Sequence, residues 1–427
     1  MTSTTIAPAG PLRGRLRVPG DKSMSHRALL LAARAEGRSQ LTGLSEGADV
    51  AATAAAVARF GAGVTPARAG GVIVEGGASR LGEPDGVIDV GNSGTGIRLL
   101  AGWAAGLDAL SVLAGDASVA RRPMDRVAGP LRAMGASIDG RDHGRLPPLV
   151  VRGGRLHGID YRLPVPSAQV KGAVLLAGLA AEGVTTVRED VPTRAHTEEL
   201  LAACGADVRV EEGAVHLRAG PLEPLHLEVP GDPSQAAFWL VAACITPGSD
   251  LVVEHVYLGR ARVGFLRVLE RMGADVAVET LDPGTSTGNV RARYRPLVAT
   301  TVAGDEVPSL IDEIPVLAVA ATYAEGVTTF ADAAELRVKE SDRVAAMVAA
   351  LGAIGAGAEP RPDGLVVHGG AGRPLPGGSV GSAGDHRVAM ALAVAALAGA
   401  APVTIHGWEA VDTSYPGFEE DLHRCVS

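Results

Sequence analysis

Charge in this chain is scarce and gathered. Only 20% of its 427 residues are charged, yet Glu335-Leu336-Arg337-Val338-Lys339-Glu340-Ser341-Asp342-Arg343 packs six ionisable residues into nine. Arg121-Arg122-Pro123-Met124 and Asp385-His386-Arg387 are two more dense clusters beside turns. Arg, Lys and His can clamp phosphate or carboxylate groups. The pattern suggests a protein built to hold phosphates and carboxylates. A solvated loop leading into a helix from Val344 would explain the first cluster alone, but not its recurrence in so weakly charged a chain.

The elements that must position these groups repeat. Six runs of Ala, Leu and Val, apolar on every side, open at Asp21-Lys22-Ser23, Asn92-Ser93-Gly94-Thr95, Ser167-Ala168-Gln169-Val170-Lys171, Asp232-Pro233-Ser234-Gln235, Asp312-Glu313 and Asp385-His386-Arg387. A helix apolar all round is a buried helix, so only its N-terminus can face a ligand. That end carries roughly half a positive charge and unpaired N–H groups, which suit anions. Capping accounts for Thr95, Ser167 and Ser234. It does not account for Lys22, Arg27, Arg98, His386 and Arg387, because cations in a first turn oppose the macrodipole.

A longer repeat organises the chain. Arg17-Val18-Pro19-Gly20-Asp21 and Glu228-Val229-Pro230-Gly231-Asp232 share a Val-Pro-Gly-Asp core about half the chain apart, each leading into a buried helix. Within each half, Phe60-Gly61-Ala62, Met134-Gly135-Ala136, Cys204-Gly205-Ala206, Met272-Gly273-Ala274 and Leu351-Gly352-Ala353 end helical patterns at a C-cap glycine, and strand-like runs follow. The expected fold is α/β, with two similar domains of three β-α-β-α-β-β units around buried helices. The sixth unit, from Asp385 to Ser427, lacks its final hairpin, and the spare strand Gly14–Val18 is expected to complete it. Residues 21–231 then form an inserted domain, and residues 1–20 with 232–427 form a discontinuous one, with the active-site cleft between them.

Composition narrows the partners. A net charge of −9 without a basic run argues against nucleic acid, so acidic substrates must meet a local basic cleft. Cys204, Cys244 and Cys425 have no metal-ligand spacing and read as reduced core residues. No signal peptide is apparent, and no apolar stretch free of Gly and charge reaches about 18 residues. The expectation is a soluble, cytoplasmic protein with no membrane partner, monomeric by default. Gly20-Asp21-Lys22-Ser23 fails as a P-loop because Leu16 stands where the first glycine belongs. Gly377-Gly378-Ser379-Val380-Gly381 follows Arg373-Pro374-Leu375-Pro376, which cannot be a central strand, and reads as a loop.

Taken together, Pro19-Gly20-Asp21-Lys22-Ser23-Met24-Ser25-His26-Arg27, Gly91-Asn92-Ser93-Gly94-Thr95, Arg122-Pro123-Met124, Arg337-Val338-Lys339-Glu340-Ser341-Asp342-Arg343 and Asp385-His386-Arg387 resemble the 5-enolpyruvylshikimate-3-phosphate synthase (3-phosphoshikimate 1-carboxyvinyltransferase) family, in order along the whole chain. The resemblance implies the enolpyruvyl transferase fold, an inside-out α/β barrel. It also implies transfer of the enolpyruvyl group of phosphoenolpyruvate to the 5-hydroxyl of shikimate 3-phosphate, on the route to chorismate and aromatic amino acids. Neither a metal nor an organic cofactor is implied.

Carried over by resemblance, Lys22, Asn92, Gly94, Arg122, Gln169, Arg343, His386 and Arg387 are the phosphoenolpyruvate side. Lys22, Ser23, Arg27, Ser167, Ala168, Gln169, Arg194, Asp312 and Lys339 are the shikimate 3-phosphate side. Asp312 is similar to the family's base at the attacking hydroxyl, and Glu340 with Lys22 resembles its proton-shuttling pair. One branch has Ser where this chain has Ala168, which removes a hydroxyl from the phosphate site and leaves Arg194 to compensate. The segment Asp412–Pro416 lacks a Lys that the branch uses. Gly94 implies sensitivity to glyphosate, since Ala at that position goes with insensitivity in relatives.

Three alternatives stay open. Transfer to UDP-N-acetylglucosamine generally uses a Cys, sometimes Asp, before an Arg-Pro pair, and only Asp116 is available here. An RNA 3′-terminal phosphate cyclase would want a basic face, which the net charge disfavours. A non-catalytic anion-binding protein could retain the same scaffold.

Overall fold

A computed structural model describes residues 2–67, 70–282 and 285–425. The last two residues of the sixth repeat lie outside that range. Among the described residues six helices form the interior: α1 (Lys22–Arg34), α2 (Gly94–Ala105), α3 (Ala168–Gly178), α4 (Pro233–Ile245), α5 (Ile314–Tyr323) and α6 (His386–Leu397). Every residue of α4, α5 and α6 is buried, as the uniformly apolar sequences require. In the first five units the strand–helix–strand step is followed by an outer helix and a hairpin; in the sixth the helix Phe418–Cys425 follows, with no hairpin after it among the described residues.

The chain divides into two compact units. One combines Met1–Asp21 with Pro230–Ser427, and the other is Lys22–Val229. Asp21, Pro230 and Gly231 thus join the discontinuous unit rather than the inserted one. Hydrogen bonds hold them there, from Asp21 N–H to the Pro230 carbonyl (2.8 Å) and from Gly231 N–H to the His255 carbonyl (2.8 Å).

Among the described residues, five four-stranded sheets and one three-stranded sheet carry the units, along with a short two-stranded pairing. Within most units the strand before a central helix runs parallel to the strand after it, as Ile88–Asp89 does with Leu110–Ala114 around α2. At the two Val-Pro-Gly-Asp segments the strands are exchanged. Arg13–Arg17, which leads into α1, pairs with Asp250–Tyr257, which follows α4. His226–Glu228, which leads into α4, pairs with Gly37–Thr42, which follows α1.

This exchange corrects one expectation. The strand around Gly14–Val18 does not complete the sixth unit, because its partner is the fourth unit's sheet. Ser3–Ile6 takes that place instead, antiparallel to Val403–His406. Two readings of local sequence also change. Gly378–Gly381 is a parallel edge strand on Val403–His406 rather than a loop. Gly352 lies inside the helix Arg343–Ala353, and the left-handed residue after it is Gly355 (φ +88°). The repeat there is Ile354-Gly355-Ala356, with Ile354 filling the core position that Met134 and Met272 hold elsewhere.

Small residues let the central helices approach closely. A Cβ built on Gly102 of α2 would meet the Ala173 carbonyl oxygen of α3 at 2.1 Å and its Cα at 2.6 Å. Backbone atoms cannot rotate away, so overpacking costs about 1–3 kcal/mol at the upper end of its range, against about 1 kcal/mol that Ala gains over Gly in a helix. Gly102→Ala is therefore expected to lose about 2 kcal/mol net, read as a lowered urea midpoint, while Gly352→Ala, with open space around it, is neutral or stabilising.

Candidate active site

In the unit Lys22–Val229 the openings of α1, α2 and α3 gather one set of charged and polar groups. Lys22, the first residue of α1, pairs through Nζ with Asp49 Oδ2 at 2.9 Å. Arg27, one turn on and buried, donates from Nη1 to the Ser23 carbonyl (2.8 Å), from Nη2 to the Ala168 carbonyl (3.0 Å) and from Nε to the Thr197 hydroxyl (2.7 Å). Arg194 donates to Ser23 Oγ at 3.3 Å. These bonds draw Ser23, Arg27, Ala168 and Arg194 into one cluster, with Ser167 beside it as the cap of α3.

A second cluster forms at α2. Arg98 donates to Gln169 Oε1 (2.7 Å) and to the Pro123 carbonyl (3.1 Å), and Gln169 Nε2 donates to Thr95 Oγ1 (2.9 Å). Arg122 donates to Asn92 Oδ1 (3.1 Å) and Ser118 Oγ (3.0 Å). Gly94 opens α2 directly against that guanidinium: a Cβ there would meet Arg122 Nη1 at 2.3 Å. The α2 cap is Ser93, which accepts from the Gly96 N–H, so Thr95 is released from capping and serves Gln169 instead. Ser234 is similarly replaced as cap by Asp232, and its hydroxyl donates to Glu313.

The discontinuous unit is organised around one guanidinium. Arg343 is 1% exposed; its Nε donates to Asp385 Oδ2 (2.8 Å), its Nη1 to Asp312 Oδ1 (3.1 Å) and its Nη2 to Glu340. Burial opposes that charge, but Asp385, Glu340 and Asp312 outweigh it and raise the pKa above the ordinary arginine value. Lys339 Nζ lies 3.3 Å from the same Asp312 oxygen. Arg387 donates to the Asp312 carbonyl at 3.1 Å, while His386, buried, begins α6 behind the Asp385 cap. Asp312, Lys339, Glu340, Arg343 and Arg387 are thus in one bonded network. A carboxylate beside a lysine and another beside a permanent cation can move protons at separate points.

Sequence reasoning passed over three groups. Asp49 gave no signal beyond an acid in the first turn of the helix Ala48–Arg59. Thr197 lies beside the motif residue Arg194, but its role as an acceptor for Arg27 depends on folding. Arg262 sits in no motif, yet its Nη2 reaches Asp21 Oδ2 (2.9 Å) and Asp232 Oδ1 (2.6 Å), joining both Val-Pro-Gly-Asp segments. Its Nη1 lies 3.9 Å from Glu313 Oε1, the neighbour of Asp312. Among the described residues no cluster of three or more His, Cys, Asp or Glu is arranged to hold a metal ion.

Known proteins resemble this chain in sequence and in fold. The family profile described as EPSP synthase (3-phosphoshikimate 1-carboxyvinyltransferase) matches residues 6–422. A 3-phosphoshikimate 1-carboxyvinyltransferase of Thermus thermophilus is 50% identical over 431 residues, covering 100% of both chains. One from a Synechococcus species is 49% identical and covers 99% of this chain and 96% of its own. The structure of EPSP synthase from Acinetobacter baumannii superposes with a TM-score of 0.87 at 42% identity, over 99% of this chain and 98% of that one. The enolpyruvyl transferase NikO from Streptomyces tendae, at 19% identity, shares the fold with a TM-score of 0.77 over 99% of this chain and 96% of its own.

Arg262 yields a stability test. Its pKa lies above the ordinary value because Asp21, Asp232 and Glu313 outweigh the cost of its burial. Arg262→Ala would leave those carboxylates buried without their cation, at a cost of about 3–5 kcal/mol. The expected result is a urea unfolding midpoint lowered accordingly.

Proposed function

The chain belongs to the EPSP synthase (3-phosphoshikimate 1-carboxyvinyltransferase) family, and from that premise we propose how its two charged clusters carry the reaction. The enzyme transfers the enolpyruvyl group of phosphoenolpyruvate to the 5-hydroxyl of shikimate 3-phosphate, releasing phosphate, in the shikimate pathway. Addition requires a proton on the methylene carbon of phosphoenolpyruvate and removal of one from the attacking hydroxyl. Elimination of phosphate from the tetrahedral adduct then takes a proton back from the new methyl group.

The observation that carries the assignment of roles is the network on Arg343, which holds Asp312 and Glu340 along with the helix cap Asp385, three carboxylates on one guanidinium. Asp312, with Lys339 at 3.3 Å, is the base at the substrate hydroxyl. Glu340, with Lys22, moves the proton at the methylene and methyl carbon. Arg343, His386 and Arg387 from one unit, and Lys22, Asn92, Gly94, Arg122 and Gln169 from the other, hold phosphoenolpyruvate. Ser23, Arg27, Ser167, Ala168, Gln169, Arg194 and Lys339 hold shikimate 3-phosphate. This reading requires both units to supply groups to the same two substrates, with water kept from the reacting atoms. A cytoplasmic location and a monomeric state belong to the same proposal; the three cysteines fit a reducing compartment as buried thiols, Cys244 being pushed up to about 12 by burial and by Asp275.

Asp116 gives no support to UDP-N-acetylglucosamine as acceptor. Its Oδ1 accepts from the Ser118 and Val119 N–H groups at 2.9 Å each, and its Oδ2 accepts from Asn92 at 2.6 Å. That carboxylate is occupied in shaping the turn that carries Arg122.

Phosphate release from the purified enzyme is expected only when phosphoenolpyruvate and shikimate 3-phosphate are both present. Glu340→Gln should slow it by about 10²–10⁴-fold, the range for losing a general acid–base, with shikimate 3-phosphate binding retained by calorimetry. Release with one substrate alone, or undiminished turnover in that variant, would contradict the assignment. Gly94→Ala presses on the Arg122 guanidinium. Displacing one charge-assisted contact should raise KM for phosphoenolpyruvate on the order of tenfold and leave KM for shikimate 3-phosphate within twofold. The unaltered enzyme is expected to be inhibited by sub-millimolar glyphosate, and the variant should lose that inhibition.

A further inference from the structure

Lys171 lies one turn beyond the Ser167 cap, on a helix whose only other polar side chain is Gln169, and it is wholly buried at 0% exposure. Its Nζ meets Glu189 Oε2 at 2.8 Å and Glu198 Oε1 at 2.7 Å. None of these three residues takes part in the chemistry described above. A buried ion cluster is a poor source of stability, since desolvating its charges commonly cancels their attraction. Its value here lies in what the two carboxylates are attached to.

Glu189 directly follows the strand Val184–Arg188 and also accepts from the Thr193 N–H (3.2 Å) and the Thr193 hydroxyl. Glu198 lies in the first turn of the helix His196–Ala203. Its second oxygen, buried as well, meets no hydrogen-bond donor among the described residues. The ammonium of Lys171 therefore pins both ends of the segment 189–198 to α3. Two side chains of that segment reach across to α1. Arg194 donates to Ser23 Oγ at 3.3 Å, and Thr197 accepts from Arg27 Nε at 2.7 Å. Arg27 closes the circuit by donating to the Ala168 carbonyl, three residues before Lys171 on α3.

We infer that Lys171 is a positioning residue for the phosphate end of the shikimate 3-phosphate site, setting the place of Arg194 directly and that of Arg27 through Thr197. The inference rests on the reading above that Ser23, Arg27, Ala168 and Arg194 hold this substrate. Ala168 supplies no hydroxyl to the phosphate, so Arg194 must supply more of the binding. An arginine on a connecting segment loses much conformational freedom when it clamps an anion. Fixing both ends of its segment beforehand reduces that loss. The cluster's two carboxylates and one ammonium leave a net negative charge, which also favours keeping two guanidinium groups nearby before the substrate arrives.

The test uses the full-length enzyme. Lys171→Met with Glu198→Gln removes one charge of each sign, so the net charge of the cluster is unchanged. Thr193→Val removes only the hydroxyl tether to Glu189 and leaves every charge in place. Shikimate 3-phosphate affinity is measured by calorimetry and KM for phosphoenolpyruvate by phosphate release, with thermal melts reporting folding. The double variant should bind shikimate 3-phosphate about tenfold more weakly or worse, and Thr193→Val about threefold more weakly, as expected for loosening charge-assisted contacts. KM for phosphoenolpyruvate should stay within twofold in both.

Unchanged shikimate 3-phosphate affinity in the folded double variant overturns the inference, as does an equal loss for both substrates. If the double variant fails to fold, Thr193→Val decides alone, and unaltered affinity there overturns it. Failure of the unaltered enzyme to bind shikimate 3-phosphate would instead overturn the site reading on which this inference stands. Binding intact in the unaltered enzyme and in both variants defeats the role of Lys171 only.

Discussion

A helix whose whole circumference is buried can meet a ligand only through its end. Six helices of this protein are under that constraint, and most of what is distinctive about the chain follows from it. Their sides must be small and apolar so that helix can lie on helix, as at Gly102 against Ala173. Their openings must then carry nearly all the polar chemistry, in the part of the helix where N–H groups and the macrodipole already favour anions. Cations placed there cost something in the empty protein, and an arrangement of acceptors has to hold them until an anion takes over.

The two units meet that requirement differently. Around Arg343 the acceptors are carboxylates, so cation and acid arrive together and proton transfer is available where the charge is held. At α1 to α3 the guanidinium groups of Arg27, Arg98, Arg122 and Arg194 donate to hydroxyl, amide and carbonyl oxygens. Those bonds orient the cations through uncharged oxygens. Both sets of side chains are nonetheless placed by the same device, the opening of a helix.

The exchange of strands at the Val-Pro-Gly-Asp segments is what lets a repeating chain form two closed units. Each crossing leaves its strand in the sheet of the unit it departs from and begins its helix in the other. Arg262 holds the aspartates of both segments with one guanidinium, and Glu313, beside Asp312, lies at its other nitrogen. The cation that ties the crossings thus lies close to Glu313, which is next in sequence to Asp312 of the Arg343 network.

Much of this was legible in the linear chain, for a physical reason. Helix burial is written in apolar residues on every face, and a helix opening is local, so Lys22 to Arg27, Asn92 to Thr95 and Asp385 to Arg387 declare themselves over a single turn. The repeat was legible too, although its closure was misjudged. Gly14–Val18 and Ser3–Ile6 are both short strands, and which sheet each joins is set by where the crossing leaves it, which no local pattern records. The partners that tune the charged groups were not legible at all. Asp49, Thr197, Arg262 and the Glu189–Lys171–Glu198 cluster join residues between 18 and 241 positions apart. Sequence by itself determined which ends of which helices would carry chemistry, because propensity and burial act over a few residues. Only the tertiary structure decided which acceptor each cation would meet, because hydrogen bonds and ion pairs act over about 3 Å in space and are indifferent to separation along the chain.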